Sequence, residues 1–314
     1  MARALFDSKQ GYYTTHVGTV GRRGHFSTSA TASPLLAQGI ANWITIQRRV
    51  PAIIEVGGGD GSLMRDIRRV LGWWKSRRFQ WHMVEVSPVL QAKQREKLGD
   101  AITWHNHLEA ALQACHGHAL IYHNELVDAF PVRLLQWSAT ECRWQEVYLH
   151  LEAGGWKETL QPFVAPNVAF SALTSPPPAH PRQRIELHQS YLQWLQAWAP
   201  HWKKGAMLTI DYGDKFPALY HRRPAGTLRS YFHHQTLTGP EIYLNMGKQD
   251  ITCDVNFTDL IAWGDALGWR HEPLITQREF LLPVSPKNPP AADAFVLEEF
   301  GAGTAFKVLK QTPA

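Results

Sequence analysis

Residues 53–63 read I-I-E-V-G-G-G-D-G-S-L, and no other stretch limits the possible folds of this chain so strongly. The apolar run Ala52-Ile53-Ile54 closes at Glu55, and glycines stand at alternate positions 57, 59 and 61. Ser62 then opens a helical pattern through Leu63, Met64, Ile67, Val70 and Leu71. That order is a buried strand, a tight turn and a helix N-terminus. Glycine lacks a Cβ, so the turn can take positive φ and let a ligand lie against its backbone. In open α/β sheets, ligands gather outside the carboxyl ends of the strands. A nucleotide-like cofactor is expected here.

The glycine spacing discriminates among cofactors. Counted from Gly57, the dinucleotide pattern G-x-G-x-x-G/A needs Gly or Ala at position 62, where the chain has Ser62. The phosphate-cradling G-x-x-x-x-G-K-[ST] loop fails as well, because no Lys-Ser or Lys-Thr follows Gly61. E-x-G-x-G-x-G resembles the first motif of class I methyltransferases, which bind S-adenosylmethionine (SAM). SAM has no phosphate, and its sulfonium and amino groups are positive, which suits Glu55 and Asp60. A second apolar strand, Trp81-His82-Met83-Val84, ends in Glu85, 24 residues past Gly61. Rossmann-like units place a ribose-binding acid near that spacing. One carboxylate there can accept both ribose hydroxyl hydrogens.

Strands alternating with helices imply an α/β fold with a mostly parallel sheet and helices on both faces. Four regions are expected. Residues 1–50 form an N-terminal lid loop and a helix from Ser33-Pro34 to about Arg48. Residues 51–150 form the SAM-binding Rossmann-like core, with a hairpin within 132–151. Residues 151–183, with Gly154-Gly155 and S-P-P-P-A-H-P, form an irregular insertion. Residues 184–314 supply the rest of the core sheet and the substrate side. They include a helix from about Arg184 to Trp198, a strand at Met207–Ile210, a helix from Asn256 to near Gly268, and closing strands near 278–282 and 305–309.

Composition narrows the partners. The chain has 314 residues, 44% hydrophobic and 19% charged, with a net charge of +5, the balance of a soluble globular protein. The basic residues are read as scattered short clusters, so no nucleic-acid partner is indicated. No apolar run approaches a membrane span, so no membrane partner is expected. Cys115, Cys142 and Cys253 lie far apart without a CxxC, which reads as reduced thiols in the cytoplasm. The first 20 residues lack the apolar core of a secretory signal. Motif-bearing sequence from Gly11 leaves no room for a removable transit segment. His105, His107, His116, His118 and His123 cluster with Cys115, but no HExxH or CxxC accompanies them, and no metal is expected.

A second informative segment is H-N-E-L-V-D-A-F-P, residues 123–131. It follows the fourth strand, Ala119–His123, at the crevice beside the glycine turn. Asn124, Glu125 and Asp128 are the candidate catalytic residues. Paired carboxylates match the fork of a guanidinium, hold it bidentately and localise its charge. The segment is not of the N/D-P-P-Y/F type used on nucleobase amino groups.

Read together, G-Y-Y (11–13), G-x-x-G-H-F-S-T-S (21–29), E-V-G-G-G-D-G-S-L (55–63), V-E-V-S-P-V-L-Q-A-K-Q (84–94), N-E-L-V-D-A-F-P (124–131), I-D-Y-G (210–213) and D-I-T-C-D-V-N-F-T (250–258) resemble the MidA-like methyltransferases. That family includes the mitochondrial complex I assembly factor that methylates an arginine. The resemblance runs from about residue 6 to residue 282. It implies a class I methyltransferase fold with added elements, SAM as donor, and a protein arginine as acceptor, a respiratory-complex subunit among the candidate substrates. By matching positions it implies a SAM site of Glu55, Gly57, Gly59, Gly61 and Glu85. The acceptor side is Asn124, Glu125 and Asp128. A loop around Gly24 and Thr28-Ser29 would close over the cofactor, with Ser29 in contact. The chain has His25, Thr31 and Gln38 where the family commonly has acids. Those departures keep a second reading open, a SAM-binding assembly factor or chaperone with little or no turnover.

Overall fold

The structure is a computed structural model, and it describes residues 1–16, 33–47, 50–153, 155–232 and 235–314. Ser29 lies outside the described residues, and so do Gly24, His25, Thr28 and Thr31 of the expected lid.

The chain forms two compact units, each assembled from separated stretches. The larger takes residues 17–126, 194–212 and 263–314. At its centre are β1 (Ala52–Val56), β2 (Gln80–Val84), β3 (Ile102–His105) and β4 (His118–Asn124). The sheet order is β3-β2-β1-β4, continued by Lys204–Asp214, Phe306–Thr312 and Arg270–His271. The first five strands pair in parallel, and Phe306–Thr312 runs antiparallel beside Lys204–Asp214. Every residue of β1 is buried, as a parallel strand covered on both faces requires. The helix Ser62–Ser76 turns Leu63, Met64, Ile67 and Leu71 into the core, where they join Leu36 and Ile40 of the helix Leu35–Ile46. From β1 the chain first moves outward to β2 and β3, then returns to β4 on the other side. Right-handed crossovers therefore put helices on both faces, and the direction switches between β1 and β4. In open α/β sheets, ligands bind outside the strand ends at such a switch.

The smaller unit takes residues 1–16, 127–193 and 213–262. It holds a four-stranded antiparallel sheet, ordered Gly155–Pro162, Arg143–Glu152, Arg133–Ser138 and Arg184–Leu187, and a three-stranded sheet, ordered Gln235–Leu237, Arg229–Phe232 and Asp250–Thr252.

Four expectations are corrected. The insertion at 151–183 opens with a regular strand, Gly155–Pro162, which pairs with Arg143–Glu152. Gly155–Pro162 is largely solvated, so no apolar alternation marked it. The segment from Arg184 starts as the strand Arg184–Leu187, and the helix begins at Gln189. Four residues are too few to show a period. Residues 278–282 are not a strand: Gln277–Leu281 is a helix, with Thr276 and Glu279 forming a capping box. That T-x-x-E signature was readable in the sequence. The expected contiguous core at 51–150 is also divided, since residues 127–150 belong to the smaller unit.

Candidate active site

The turn after β1 is built for backbone, not side chains. Gly57 takes φ 67, and a Cβ there would come 2.7 Å from Cδ1 of Leu126. At Gly58 a Cβ would meet Met83 at 2.7 Å and the carboxyl carbon of Glu55 at 2.9 Å. The Gly57 N–H donates to the Val84 carbonyl at 2.9 Å, which ties the turn to the end of β2. Gly59 and Gly61 complete the bend into the helix Ser62–Ser76.

Two buried acids flank this turn. Glu55, 2% exposed, has an Oε2 with no hydrogen-bond partner among the described residues. Burial pushes its carboxyl up to about 8, and the charges of Asp60 and Glu85 add to the rise. The Tyr122 phenol pulls the other way, but less strongly than burial raises the group. Glu85 sits at the end of β2, also buried. Its Oε1 accepts the Ser87 N–H at 2.9 Å, and its Oε2 accepts Nε2 of Gln94 at 3.2 Å. Burial raises the Glu85 carboxyl despite those two bonds.

Gln94 is the residue that sequence reasoning missed here. Its Nε2 also donates to the Gly59 carbonyl at 2.8 Å, and its Oε1 accepts the Trp104 indole at 3.0 Å. One buried amide thus links the glycine turn to Glu85. Asp60, expected to face a positive cofactor, is instead ion-paired with Lys97 and accepts the Ser62 N–H at 3.0 Å. Burial would raise its carboxyl, but the bonds from Lys97 and Ser62 prevail and lower it.

Asn124 and Glu125 stand where β4 ends, also in the larger unit. Asn124 Nδ2 donates to Glu125 Oε1 at 3.0 Å. Glu125 has φ 51, a left-handed conformation that costs a non-glycine residue about 1–3 kcal/mol. The bend is held from both sides: the Glu125 N–H donates to the Ile210 carbonyl at 2.9 Å, and the Leu126 N–H donates to Oδ2 of Asp211 at 3.2 Å. Asp211 is fully buried and also accepts the Tyr212 N–H. The motif I-D-Y-G contained it, but nothing in the sequence told that this acid pins β4. His123, one residue earlier, lies 3.0 Å from the Thr209 hydroxyl. Burial pulls its imidazole down to about 3, so it is neutral near pH 7.

The third expected acceptor residue, Asp128, belongs to the smaller unit and is buried there. Its Oδ2 accepts the Thr252 hydroxyl at 2.7 Å. In the same unit the Asp250 carboxylate accepts the Tyr13 hydroxyl at 2.8 Å. Burial, then the charge of Asp128, pushes Asp250 up to about 7. The segments G-Y-Y and D-I-T-C-D held Tyr13 and Asp250, but the reading gave them no role. Among the described residues, no group of three or more His, Cys, Asp or Glu is set to hold a metal.

With this geometry in view, residues 35–274 match the family described as "Putative S-adenosyl-L-methionine-dependent methyltransferase". The chain belongs to that family. Its fold agrees: a crystal structure from Burkholderia thailandensis with S-adenosyl-homocysteine bound superposes with a TM-score of 0.85 at 24% identity, covering 99% of this chain and 86% of that one. Among curated proteins, the chain is 28% identical over 292 residues to the mitochondrial protein arginine methyltransferase NDUFAF7 homolog of Drosophila melanogaster, covering 82% of this chain. It spans 63% of that relative's length. It is 26% identical over 319 residues to mitochondrial NDUFAF7 of Danio rerio, covering 90% of this chain and 71% of that protein.

The family's SAM fits the residues present: a buried carboxyl whose Oε2 has no partner among the described residues, a second acid at the end of β2, and a turn that a single Cβ would fill. The expected cytoplasmic location is corrected, because both curated relatives are named as mitochondrial. Free thiols separate reducing from oxidising surroundings, but not one reducing compartment from another. Among the described residues, no helix is long and apolar enough to cross a membrane.

Proposed function

We propose that this chain binds SAM at the turn 57–61 and directs its methyl group to a protein arginine. The observation that carries the reading is the pair of buried carboxyls, Glu55 and Glu85, at the ends of β1 and β2. Two such acids would repel a phosphate, and they suit a nucleoside that bears positive charge. In this reading Glu55 holds the cofactor's amino end, Glu85 accepts from the ribose hydroxyls, and Gly57 leaves the space a Cβ would take.

When bound, SAM supplies an electrophilic methyl group and leaves as S-adenosylhomocysteine. Glu125 would accept two N–H groups of the arginine, with Asn124 orienting its carboxylate. That grip draws positive charge to one side of the guanidinium and leaves another nitrogen the better nucleophile. Asp128 is proposed as the acceptor's second carboxylate. Most of the rate then comes from positioning. The relatives' names as protein arginine methyltransferases support arginine as the acceptor. A respiratory-complex subunit as the methylated protein belongs to the same proposal.

The test is incubation with methyl-labelled SAM and cell extract, followed by hydrolysis and analysis for methylarginine. The wild type should release S-adenosylhomocysteine and label arginine. Glu125→Gln should abolish release with SAM affinity nearly intact. A large loss of affinity would mean that Glu125 holds the cofactor instead. Wild-type binding without release would favour the assembly-factor reading, which Gln38 in place of a family acid supports.

A further inference from the structure

The chain's excess positive charge is concentrated in one place. Between Arg65 and Arg78 the sequence reads R-D-I-R-R-V-L-G-W-W-K-S-R-R. It holds six of the chain's 32 lysines and arginines and one of its 27 acids. The rest of the chain, with 26 of each, is neutral, so this stretch accounts for the whole net charge of +5. The one acid, Asp66, is already paired with Arg65 and Arg69.

The same stretch exposes apolar surface. Trp73 is 58% and Trp74 78% exposed, the two most exposed of the 13 tryptophans. Val70 beside them is 48% exposed. Their display is set by the backbone. Gly72, at φ 75 and ψ 162, breaks the helix Ser62–Ser76 just before them. Nothing lies within 4 Å of where its Cβ would be, so conformation rather than packing calls for glycine at this point. Trp73 and Trp74 stand edge-to-face at 4.4 Å, and the Arg77 guanidinium lies over Trp73 at 4.5 Å. Lys75, Arg77 and Arg78 are all exposed around the pair.

Lysines and arginines set around exposed indoles match the interface of an anionic bilayer. Indoles settle at headgroup depth, while cations bind lipid phosphates and concentrate at a negative surface. We propose that the Val70–Arg78 patch docks the protein on an anionic lipid surface, peripherally and without a span. The absence of long apolar runs, which led the sequence reading to expect no membrane partner, does not bear on an attachment of this kind.

The experiment is vesicle flotation of the full chain. Phosphatidylcholine vesicles are compared with vesicles in which phosphatidylglycerol replaces part of that lipid, with brominated lipid included to quench tryptophans at headgroup depth. The wild type should bind the anionic vesicles about tenfold or more tightly than the neutral ones, lose binding as salt rises, and be quenched. Arg77→Glu with Arg78→Glu should weaken binding about tenfold. Trp73→Ser with Trp74→Ser should weaken it and remove the quenching, with the melting temperature of both variants unchanged. Equal binding to both vesicle types, or no binding, would overturn the proposal. So would binding to DNA or an acidic polymer that matches the vesicles and ignores the tryptophan changes.

Discussion

Oδ2 of Asp211 accepts the backbone N–H of Leu126 at 3.2 Å. Leu126 is also the side chain that a Cβ on Gly57 would strike, at 2.7 Å. An acid within one strand therefore holds the residue that bounds the glycine turn at the end of another. Asp211→Ala would leave the N–H groups of Leu126 and Tyr212 without their acceptor. A loss of about 1–3 kcal/mol in folding stability is expected, read by thermal unfolding. Methyl transfer should fall further than SAM affinity, because Glu125 precedes the released bend. Unchanged turnover in a folded Asp211→Ala protein would remove Asp211 from the positioning scheme.

Gly57→Ala meets two obstacles, a positive φ and a collision with Leu126. SAM affinity should drop about tenfold or more, measured by calorimetry, since even about 1.4 kcal/mol of displacement gives that factor. Adding Leu126→Ala relieves the collision but not the φ, so the double variant should recover only part of the loss. Full recovery would show that backbone conformation at position 57 is not required.

The features legible in the sequence were those that repeat locally. β1, β2 and β4 were marked by apolar runs, and the turn by glycines at fixed spacing. The pair Ser87-Pro88 is a locally readable helix start, and Ser87 does accept the Leu90 N–H. The partners of Asp211 and Gln94 were not legible, because each acts on backbone 35 or more residues away and no local pattern encodes such a contact. The strand Arg184–Leu187 was hidden for a similar reason. Its Glu186 is buried by hydrogen bonds from Thr227, Leu228 and Tyr220, all supplied from elsewhere in the chain. Local propensity favoured continuing the helix through it, and tertiary pairing overrode that preference.

Glu55 makes a pH-dependent prediction. Its folded carboxyl stands at about 8 against an ordinary 4.5. Between those values the folded chain keeps a proton that the unfolded chain has lost. Its contribution to stability therefore falls as pH rises through that window. Glu55→Gln should flatten this part of the stability profile. A bound cation favours the carboxylate, so SAM binding near pH 7 should release up to one proton. Calorimetry in buffers of different ionisation enthalpy would detect it. Release that persists in Glu55→Gln would assign the proton to another group.

Gln94→Leu keeps the volume and removes three hydrogen bonds, to Gly59, Glu85 and Trp104. Glu85 loses one of its fixed donors, and the glycine turn loses its tie. S-adenosylhomocysteine affinity should fall about tenfold, near the worth of one bond to a charged group. An unchanged affinity would mean that Glu85 needs no such support.

The central claim is that the turn between β1 and the helix Ser62–Ser76 holds an adenosyl ligand between Glu55 and Glu85. Calorimetric titration with S-adenosylhomocysteine tests it most directly. The wild type should bind one equivalent, and Glu85→Gln, deprived of its ribose-accepting carboxylate, should bind at least about tenfold more weakly. No heat from the folded wild type, or equal affinity in the two proteins, would contradict the account.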